Sequence, residues 1–268
     1  MDNNQYSQND FNNFSSQNSS DYLNAVNNYQ KGASAGFEGI SSYTNSYQQA
    51  NAAFAQKVIC NSFLFMVVAL LITAYGAFSA TNTFIYWIAT GNNYMTLVFV
   101  ELAIVLISNW AVHKNNAILA GILYVIYSYL TGAVCSILFL VYTSSSILTI
   151  FLITAAVFAI MAVYGFVTKA DLTSAGSICL MGLLGIVVAS LVNLIFLQSS
   201  TVDTVICVIG VLLFVVLTAY DTQKIKQNAQ FATSENALTL SLCGAFELYL
   251  DFINIFLKLM RLFGKKRS

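Results

Sequence analysis

The sequence has too few charged residues for a soluble protein. Asp, Glu, Lys and Arg make up 8% of its 268 residues, against about 25% in a typical soluble domain. Hydrophobic residues make up 58% and the mean hydropathy is +0.72. So few charges cannot cover a water-exposed surface. The composition therefore predicts a polytopic membrane protein whose main partner is the lipid bilayer.

Other absences exclude further classes. Proline is missing altogether, so any break in a membrane helix must come from glycine or polar residues. The formal net charge is zero, which gives no indication of a nucleic-acid partner. The five cysteines lie in or beside apolar runs without a CxxC pair, and we interpret them as apolar packing residues. The sequence has no nucleophile–base, phosphate-loop or metal-hydrolase motif, so we predict neither enzymatic activity nor a cofactor.

The chain divides into a polar tail and a membrane domain. Residues 1–50 are dominated by Asn, Ser, Gln, Gly and Tyr, with no cleavable signal peptide, and we predict a disordered tail. Residues 51–268 are predicted to form the membrane domain. Its apolar segments lie at 58–80, 94–112, 117–142, 146–168, 175–197, 202–220 and 237–263. Each is near or above the ~20 residues that a spanning helix needs, which predicts an all-α bundle of seven transmembrane helices.

Basic residues predict the orientation of the segments. If the segments alternate in direction, one side of the membrane collects the basic residues of several connections, namely Lys57, His113, Lys114, Lys169, Lys224 and Lys226. By the positive-inside rule that side is cytoplasmic, and so is the N-terminal tail. Residues 265–267 are also basic, and a full seventh span would place them outside. A re-entrant last segment would keep them inside. The length of 237–263 favours a full span.

The last segment carries a polar stripe. Glu247, Asp251, Asn254, Lys258 and Arg261 fall at offsets of 0, 4, 7, 11 and 14, which is one face of a helix. An ionisable group at bilayer depth costs roughly 2.5–3.5 kcal/mol on insertion scales, so this face must contact other helices or water. The pattern predicts a central last helix with its polar face turned inward.

Four stretches carry a family resemblance. They read QKVICNSFLFMVVALLITAYGAF, YGFVTKADLTSAGS, GVLLFVVLTAYDTQKIK and LYLDFINIFLKLMRLFG. Together they resemble the transmembrane Bax inhibitor motif family, whose bacterial branch includes YccA-like proteins, over about residues 55–264. The resemblance implies a bacterial plasma (inner) membrane protein with a seven-helix bundle and a central last helix. It also implies a pH-sensitive calcium leak built on Asp221, in AYDTQK, and Asp251, in LYLDFIN.

The chain departs from the family pattern at three positions. Some bacterial members follow the acid of the second segment with Trp-x-Arg, whereas here Glu101 and Trp110 are followed by Val112. Family members usually have a small polar or amide residue where this chain has Glu247. They usually have an uncharged residue at the position of Lys258.

The two aspartates define the candidate gate. Carboxylates close together in a low-dielectric site tend to share a proton, and its loss can shift two helices apart. Carboxylates also suit calcium, a hard cation, so Asp221 and Asp251 are candidate calcium ligands as well as pH sensors. Spacing alone also allows two unrelated acids. The resemblance favours the pair.

The pair requires an unusual helix register. Asp251 lies fourteen residues after Ala237, about 21 Å along a helix, whereas Asp221 follows the predicted end of the sixth segment directly. For the two to meet, the start of the last segment must project or unwind, or the sixth must dip inward. We therefore predict that the membrane part of the last helix begins near Leu242–Phe246.

Further polar residues are candidates for an ion path, namely Glu101, Glu247, Asn254, Lys258 and Arg261. Glu101 is the only charge within the second segment. It is either functional, with Lys258 or Arg261 as a partner, or a protonated buried glutamate.

Three functions remain open from the sequence. The first is a proton-gated calcium leak, and a weaker alternative is a proton-coupled transporter. Both require Asp251, Glu247 and Glu101 to face inward. The third is a non-conducting regulator that binds another membrane protein, such as a quality-control protease. It favours a lipid-facing groove of small residues or dependence on the tail.

Overall fold

The computed structural model describes residues 53–81, 114 and 116–267, together with isolated positions between 24 and 31 and between 96 and 108. Its helices are α1 (Ala53–Thr81), α2 (Ala117–Cys135), α3 (Ile137–Val141), α4 (Ser144–Val167), α5 (Thr173–Val192), α6 (Ser200–Ala229) and α7 (Ala237–Phe263). A π-helical turn, Asn193–Leu197, extends α5. Over these ranges the one extended pairing is an isolated bridge between Tyr142 and Lys266.

The described helices form a multi-pass membrane protein. Six stretches of the described chain are long and apolar enough to cross a bilayer: α1, α2 with α3, α4, α5 with its π turn, α6 and α7. In α7, 56% of the most apolar window is buried by other parts of the protein, against 44% or less in the other five. The last helix is therefore the most shielded of these six, although it carries the polar stripe.

Two predictions fall largely outside the described residues. Described positions between Thr96 and Ser108 are helical, but the continuous segment predicted at 94–112 is not among the described ranges. In the tail, Asn24, Asn27, Asn28 and Lys31 are described and helical, and the predicted disorder of residues 1–50 stays a prediction. The chain divides into the units Met1–Ala52 and Ala53–Ser268, and helices α1 to α7 all belong to the second unit.

Helices α1 and α2 run in the same direction. The Tyr124 hydroxyl lies 3.5 Å from the Phe65 carbonyl oxygen, and the Thr73 hydroxyl donates to the Ser128 carbonyl at 2.9 Å. Residue numbers rise together along both helices, so both begin at the same end of the bundle. We call it the first end. It also holds the start of α7, because Ser62 near the start of α1 donates to the Ser241 carbonyl at 3.1 Å.

The remaining helices alternate between the two ends through short connections. Connections 168–172 and 230–236 lie at the first end, and connections 142–143 and 198–199 lie at the opposite, second end. The residues after α7 bind the connection between α3 and α4: the Arg267 amide donates to the Val141 carbonyl at 2.9 Å, and the Thr143 amide donates to the Lys265 carbonyl at 3.1 Å. Helix α7 therefore runs from the first end to the second, which agrees with a full span rather than a re-entrant segment.

The predicted end of the sixth segment at residue 220 is wrong by nine residues. Helix α6 continues to Ala229, because hydropathy marks where the apolar run stops and not where the helix stops. The extension is also packed: Ala229 is fully buried and lies in one cluster with Val58 of α1 and Ala237 of α7. Asp221 consequently lies two turns inside a helix. The last segment begins at Ala237, as its apolar run predicts.

Candidate functional site

The polar stripe of α7 faces α6. Near the first end, the Lys224 ammonium lies 2.6 Å from a Glu247 carboxylate oxygen. Near the second end, the Arg261 Nε lies 2.6 Å from the Asp203 carboxylate. Because α6 and α7 are antiparallel, the later residues of α6 lie beside the earlier residues of α7, and the earlier residues of α6 lie beside the later residues of α7. The stripe thus contacts another helix, as expected because exposing its ionisable side chains to lipid would cost free energy.

Asp221 and Asp251 meet between these two ion pairs. Asp251 is 4% exposed, and Asp221 and Thr218 lie close enough to its carboxyl group to interact with it electrostatically. Its Oδ2 atom is buried and has no hydrogen-bond donor among the described residues. Two ionised carboxylates cannot donate to each other. A proton on either group would complete the missing hydrogen bond.

The length of both helices explains how the two aspartates meet. Asp221 lies eight residues before the end of α6, and Asp251 lies fourteen residues after the start of α7, about 12 and 21 Å along the respective helices. Connection 230–236 therefore projects well beyond the pair. Of the three ways in which the aspartates could meet, the structure contradicts an unwound start of the last segment, because α7 is helical from Ala237.

Gln223, which follows Asp221 by two residues, fixes connection 168–172 onto α6. Its amide oxygen accepts from the Leu172 backbone N–H at 2.9 Å, and its amide nitrogen donates to the Ala170 carbonyl at 2.8 Å. In the same connection, the hydroxyl and the backbone N–H of Thr173 donate to Asp171, and these bonds hold the pKa of that carboxyl below its usual value. Gln223 therefore anchors this connection to α6 at the first end.

The remaining ion-path candidates do not form one continuous path in the described contacts. Asn254 donates its amide to the Leu250 carbonyl of its own helix at 2.8 Å. The Lys258 ammonium lies 5.9 Å from the Phe214 ring centroid. Its aliphatic stem fills the space that a side chain at Gly210 would need.

Of the two interpretations of Glu101, the described contacts do not show the pairing with Lys258 or Arg261. Glu101 lies beside Thr131, Tyr127 and Cys135, a cluster centred on α2. Arg261 is paired with Asp203 instead. The reason is geometric, since the basic residues of the stripe face α6 and Glu101 faces α2.

The described acids do not form a cage for a metal ion. No group of three or more His, Cys, Asp or Glu side chains in the described part of the chain is arranged to hold a metal. Asp221 and Asp251 supply two carboxylates, whereas Ca²⁺ prefers 6–8 oxygen ligands. The pair alone therefore supplies too few oxygen ligands for a resident calcium ion.

Sequence reasoning missed three residues of this site. Asp203 and Lys224 are the ion-pair partners on α6, and Gln223 holds the neighbouring loop. A usable signal existed, because Asp203, Gly210, Leu217, Asp221 and Lys224 recur every three to seven residues and so share one helix face. This face of α6 was not recognised because most residues of the helix around it are apolar.

Comparisons with known proteins give one matching family model and several similar bacterial proteins. The family model described as "Inhibitor of apoptosis-promoting Bax1" matches residues 55–268. The inner membrane protein YbhL of Escherichia coli (strain K12) is 41% identical over 208 residues, which cover 75% of this chain and 88% of that protein. Uncharacterized protein RP147 of Rickettsia prowazekii is 42% identical over 207 residues, 76% of this chain and 87% of that protein. An uncharacterized protein of Borreliella burgdorferi is 37% identical over 217 residues, 79% of this chain and 93% of that protein.

Proposed function

The chain belongs to the Bax inhibitor family of multi-pass membrane proteins, and we propose that it is a pH-sensitive calcium leak channel gated by the Asp221–Asp251 pair. The observation that carries this proposal is the burial of Asp251 against a second carboxyl group, with one oxygen lacking a donor. A shared proton supplies that hydrogen bond and holds α6 against α7.

Loss of the shared proton is the proposed opening signal. Two negative charges in a buried site repel each other strongly, and the basic group beside Asp221, Lys224, is already paired with Glu247. The neighbouring charges are Lys224 and Glu247, and these two neutralise each other. The pair therefore holds α6 and α7 together at acidic pH and separates them near the first end as the pH rises.

The cation preference follows from the same groups. Once both aspartates are ionised, the path between α6 and α7 carries two carboxylates, and oxygen ligands of this kind favour Ca²⁺ over softer cations. Too few ligands are present to bind the ion tightly. Weak binding allows it to leave again, which conduction requires.

The proposal includes seven crossings with α7 at the centre. Helices α1 and α2 both begin at the first end, so the chain between Thr81 and Ala117 must return across the bundle. This return is the role we assign to residues 94–112. Helix α7 packs against α1, α2, α4 and α6, which supports a central position.

The proposed orientation places the first end and the N-terminal tail in the cytoplasm. The first end carries Lys57 of α1, Lys114 before α2, Lys169, and Lys226 of α6. The second end carries the basic residues 265–267. The positive-inside rule places short loops rich in Lys and Arg in the cytoplasm, and the two described connections at the second end, 142–143 and 198–199, lack both residue types.

Calcium flux tests the proposal. The purified full chain is reconstituted into liposomes that contain a calcium indicator, and uptake is recorded with equal pH on both sides between pH 5 and 8. We expect flux that rises with pH and exceeds that of protein-free liposomes. Flux at background level across this range would contradict the channel and support the alternative, a non-conducting regulator that binds another membrane protein.

A further inference from the structure

A groove lined by apolar side chains lies between α1 and α4. Its volume is about 810 Å³, which is within the range of ligand-binding pockets. One wall runs from Ile59 to Ala74 on α1, the other runs from Phe151 to Phe166 on α4, and Phe252 of α7 forms part of the lining. Both walls belong to candidate membrane spans, so the medium around the groove is lipid.

The dimensions of the groove fit an extended hydrocarbon chain. Each wall covers fifteen residue steps, which is about 22 Å of helix. The hydrocarbon core of a bilayer is about 30 Å thick, so the groove reaches from near one interface past the midplane. An acyl chain of the leaflet at the first end could enter it sideways without leaving the bilayer.

A basic side chain borders the groove at the first end. Phe166 is the last lining residue there, and the Lys226 ammonium donates to its carbonyl oxygen at 2.8 Å and lies 4.9 Å from its ring centroid. Lys57 is exposed two residues before Ile59, and Lys169 follows Phe166 by three residues. Ala74 and Phe151, at the other end of the groove, have no basic residue within five positions on their own helices.

We propose that this groove holds one acyl chain of an anionic phospholipid, whose phosphate is bound at the first end by Lys226 with help from Lys57 and Lys169. The chain itself gains little hydrophobic free energy, because lipid tails outside the groove are equally apolar. Selectivity must come from the headgroup. Each lysine near the membrane surface contributes roughly a fivefold preference for an anionic lipid.

A transmembrane helix is the competing occupant. Ala155, Ala159 and Ala162 line the wall on α4, and small residues allow close approach of another helix. The charge at the groove's end decides in favour of lipid, since Lys226 complements a phosphate and gains nothing from an apolar helix. Helix binding is nevertheless a distinct outcome of the test.

Lipid retention measures the headgroup preference. The full chain is placed in nanodiscs with equal amounts of phosphatidylglycerol and phosphatidylcholine that have identical acyl chains. Mild extraction and native mass spectrometry then count the retained lipids. We expect phosphatidylglycerol to be retained at least fivefold over phosphatidylcholine. Lys226→Gln, which keeps a donor for the Phe166 carbonyl but removes the charge, should reduce this preference about fivefold.

The matched control for the charge is Lys266→Gln, at the second end, which should leave the preference unchanged. Equal retention of both lipids by the wild-type chain would overturn the proposal. An equal loss in both lysine variants would also overturn it, because the preference would then follow net charge rather than this site.

A second pair of variants tests whether the acyl chain occupies the groove. Ala159→Trp fills the groove, whereas Ala156→Trp adds the same side chain to an exposed position of α4 outside the lining. We expect the first variant to lose bound phosphatidylglycerol and the second to keep it. Retention by both would contradict an acyl chain in the groove. The groove would be a helix-binding surface if two results came together. The wild-type chain would show no lipid preference, and it would form a dimer that Ala159→Trp disrupts.

Discussion

The two ion pairs between α6 and α7 differ in exposure, and so they should differ in their contribution to stability. The side chains of Lys224 and Glu247 are 37% and 26% exposed. In the other pair, the Arg261 and Asp203 side chains are 62% and 23% exposed. Exposed ion pairs contribute about 0–1 kcal/mol because water screens them and side-chain entropy is lost. The pair at Glu247 should therefore lie at the upper end of that range and the pair at Arg261 near zero.

Neutralising each acid in turn tests this difference. Glu247→Gln should lower the free energy of unfolding by about 1 kcal/mol or less, because it leaves Lys224 unpaired beside Asp221. Asp203→Asn should have a smaller effect. The measurement is the thermal midpoint in detergent at low and high salt, with a smaller Glu247→Gln effect expected at high salt. A larger loss from Asp203→Asn would show that the second-end pair is the stronger one.

At this scale the sequence predicted which residues share a face but not which residues they contact. The spacing of the stripe identified Glu247, Asp251 and Arg261 as one side of a helix, because periodicity depends only on local geometry. The partner of each depends on helix register, which is set by packing elsewhere. Glu101 illustrates the limit, since charge complementarity with Arg261 was reasonable and the two nevertheless face different helices.

At the scale of whole helices, close contacts at small residues set the register of α6. Gly165 of α4 lies against the backbone of Ala219, and a side chain at Gly165 would collide with the Ala219 carbonyl. Ala219 is adjacent to the Thr218 and Asp221 region of the candidate gate. The crossing of α4 over α6 therefore fixes the position of α6 close to Asp221.

Two glycine-to-alanine substitutions distinguish the effect of helix packing on stability from the effect of helix propensity. Gly165→Ala should cost about 1–3 kcal/mol, as is typical when a tight contact is overpacked. Gly185→Ala on α5 is the control, because an added methyl group there has no neighbour within 4 Å among the described residues. It should be neutral or stabilising by up to about 1 kcal/mol. Thermal midpoints in detergent compare the two, and equal effects would contradict the proposed contact.

Helix boundaries were predictable where the apolar run and the helix coincide. Helix α7 begins and ends where its segment 237–263 predicts. Helix α6 does not, because its last nine residues are largely polar yet remain helical and packed through Ile225 and Ala229. This extension could not be read from hydropathy, and it is what lets Asp221 and Asp251 lie at one level.

At the scale of the whole molecule, the core of the described membrane unit is shared by most of its helices. The core clusters of the described residues begin with Phe54 and Ala55 and draw on α1, α2, α4, α5, α6 and α7. Alternating helix direction was predictable from short connections. The sequence predicted that α1 and α2 run in the same direction only if the segment at 94–112 is counted as a span between them.

Deleting residues 2–48 tests whether the tail contributes to the fold. These residues have too few apolar groups to offset the entropy lost on ordering. We expect the thermal midpoint of the shortened chain in detergent to match that of the full chain. A large decrease would show that the tail packs onto the membrane domain and would contradict the predicted division at residue 50.

The central claim is that the Asp221–Asp251 pair sets the pH response. Asp221→Asn and Asp251→Asn each remove one of the two charges, so deprotonation can no longer create repulsion between α6 and α7. Glu235→Gln is the matched control, because Glu235 is an exposed acid in connection 230–236. All three variants are reconstituted as the wild-type chain is.

The most direct measurement is the pH profile of calcium flux into liposomes between pH 5 and 8 for these three variants. We expect flux to rise with pH in the wild type and in Glu235→Gln. We expect a nearly flat profile in Asp221→Asn and in Asp251→Asn. A wild-type profile in both aspartate variants would contradict gating by the pair.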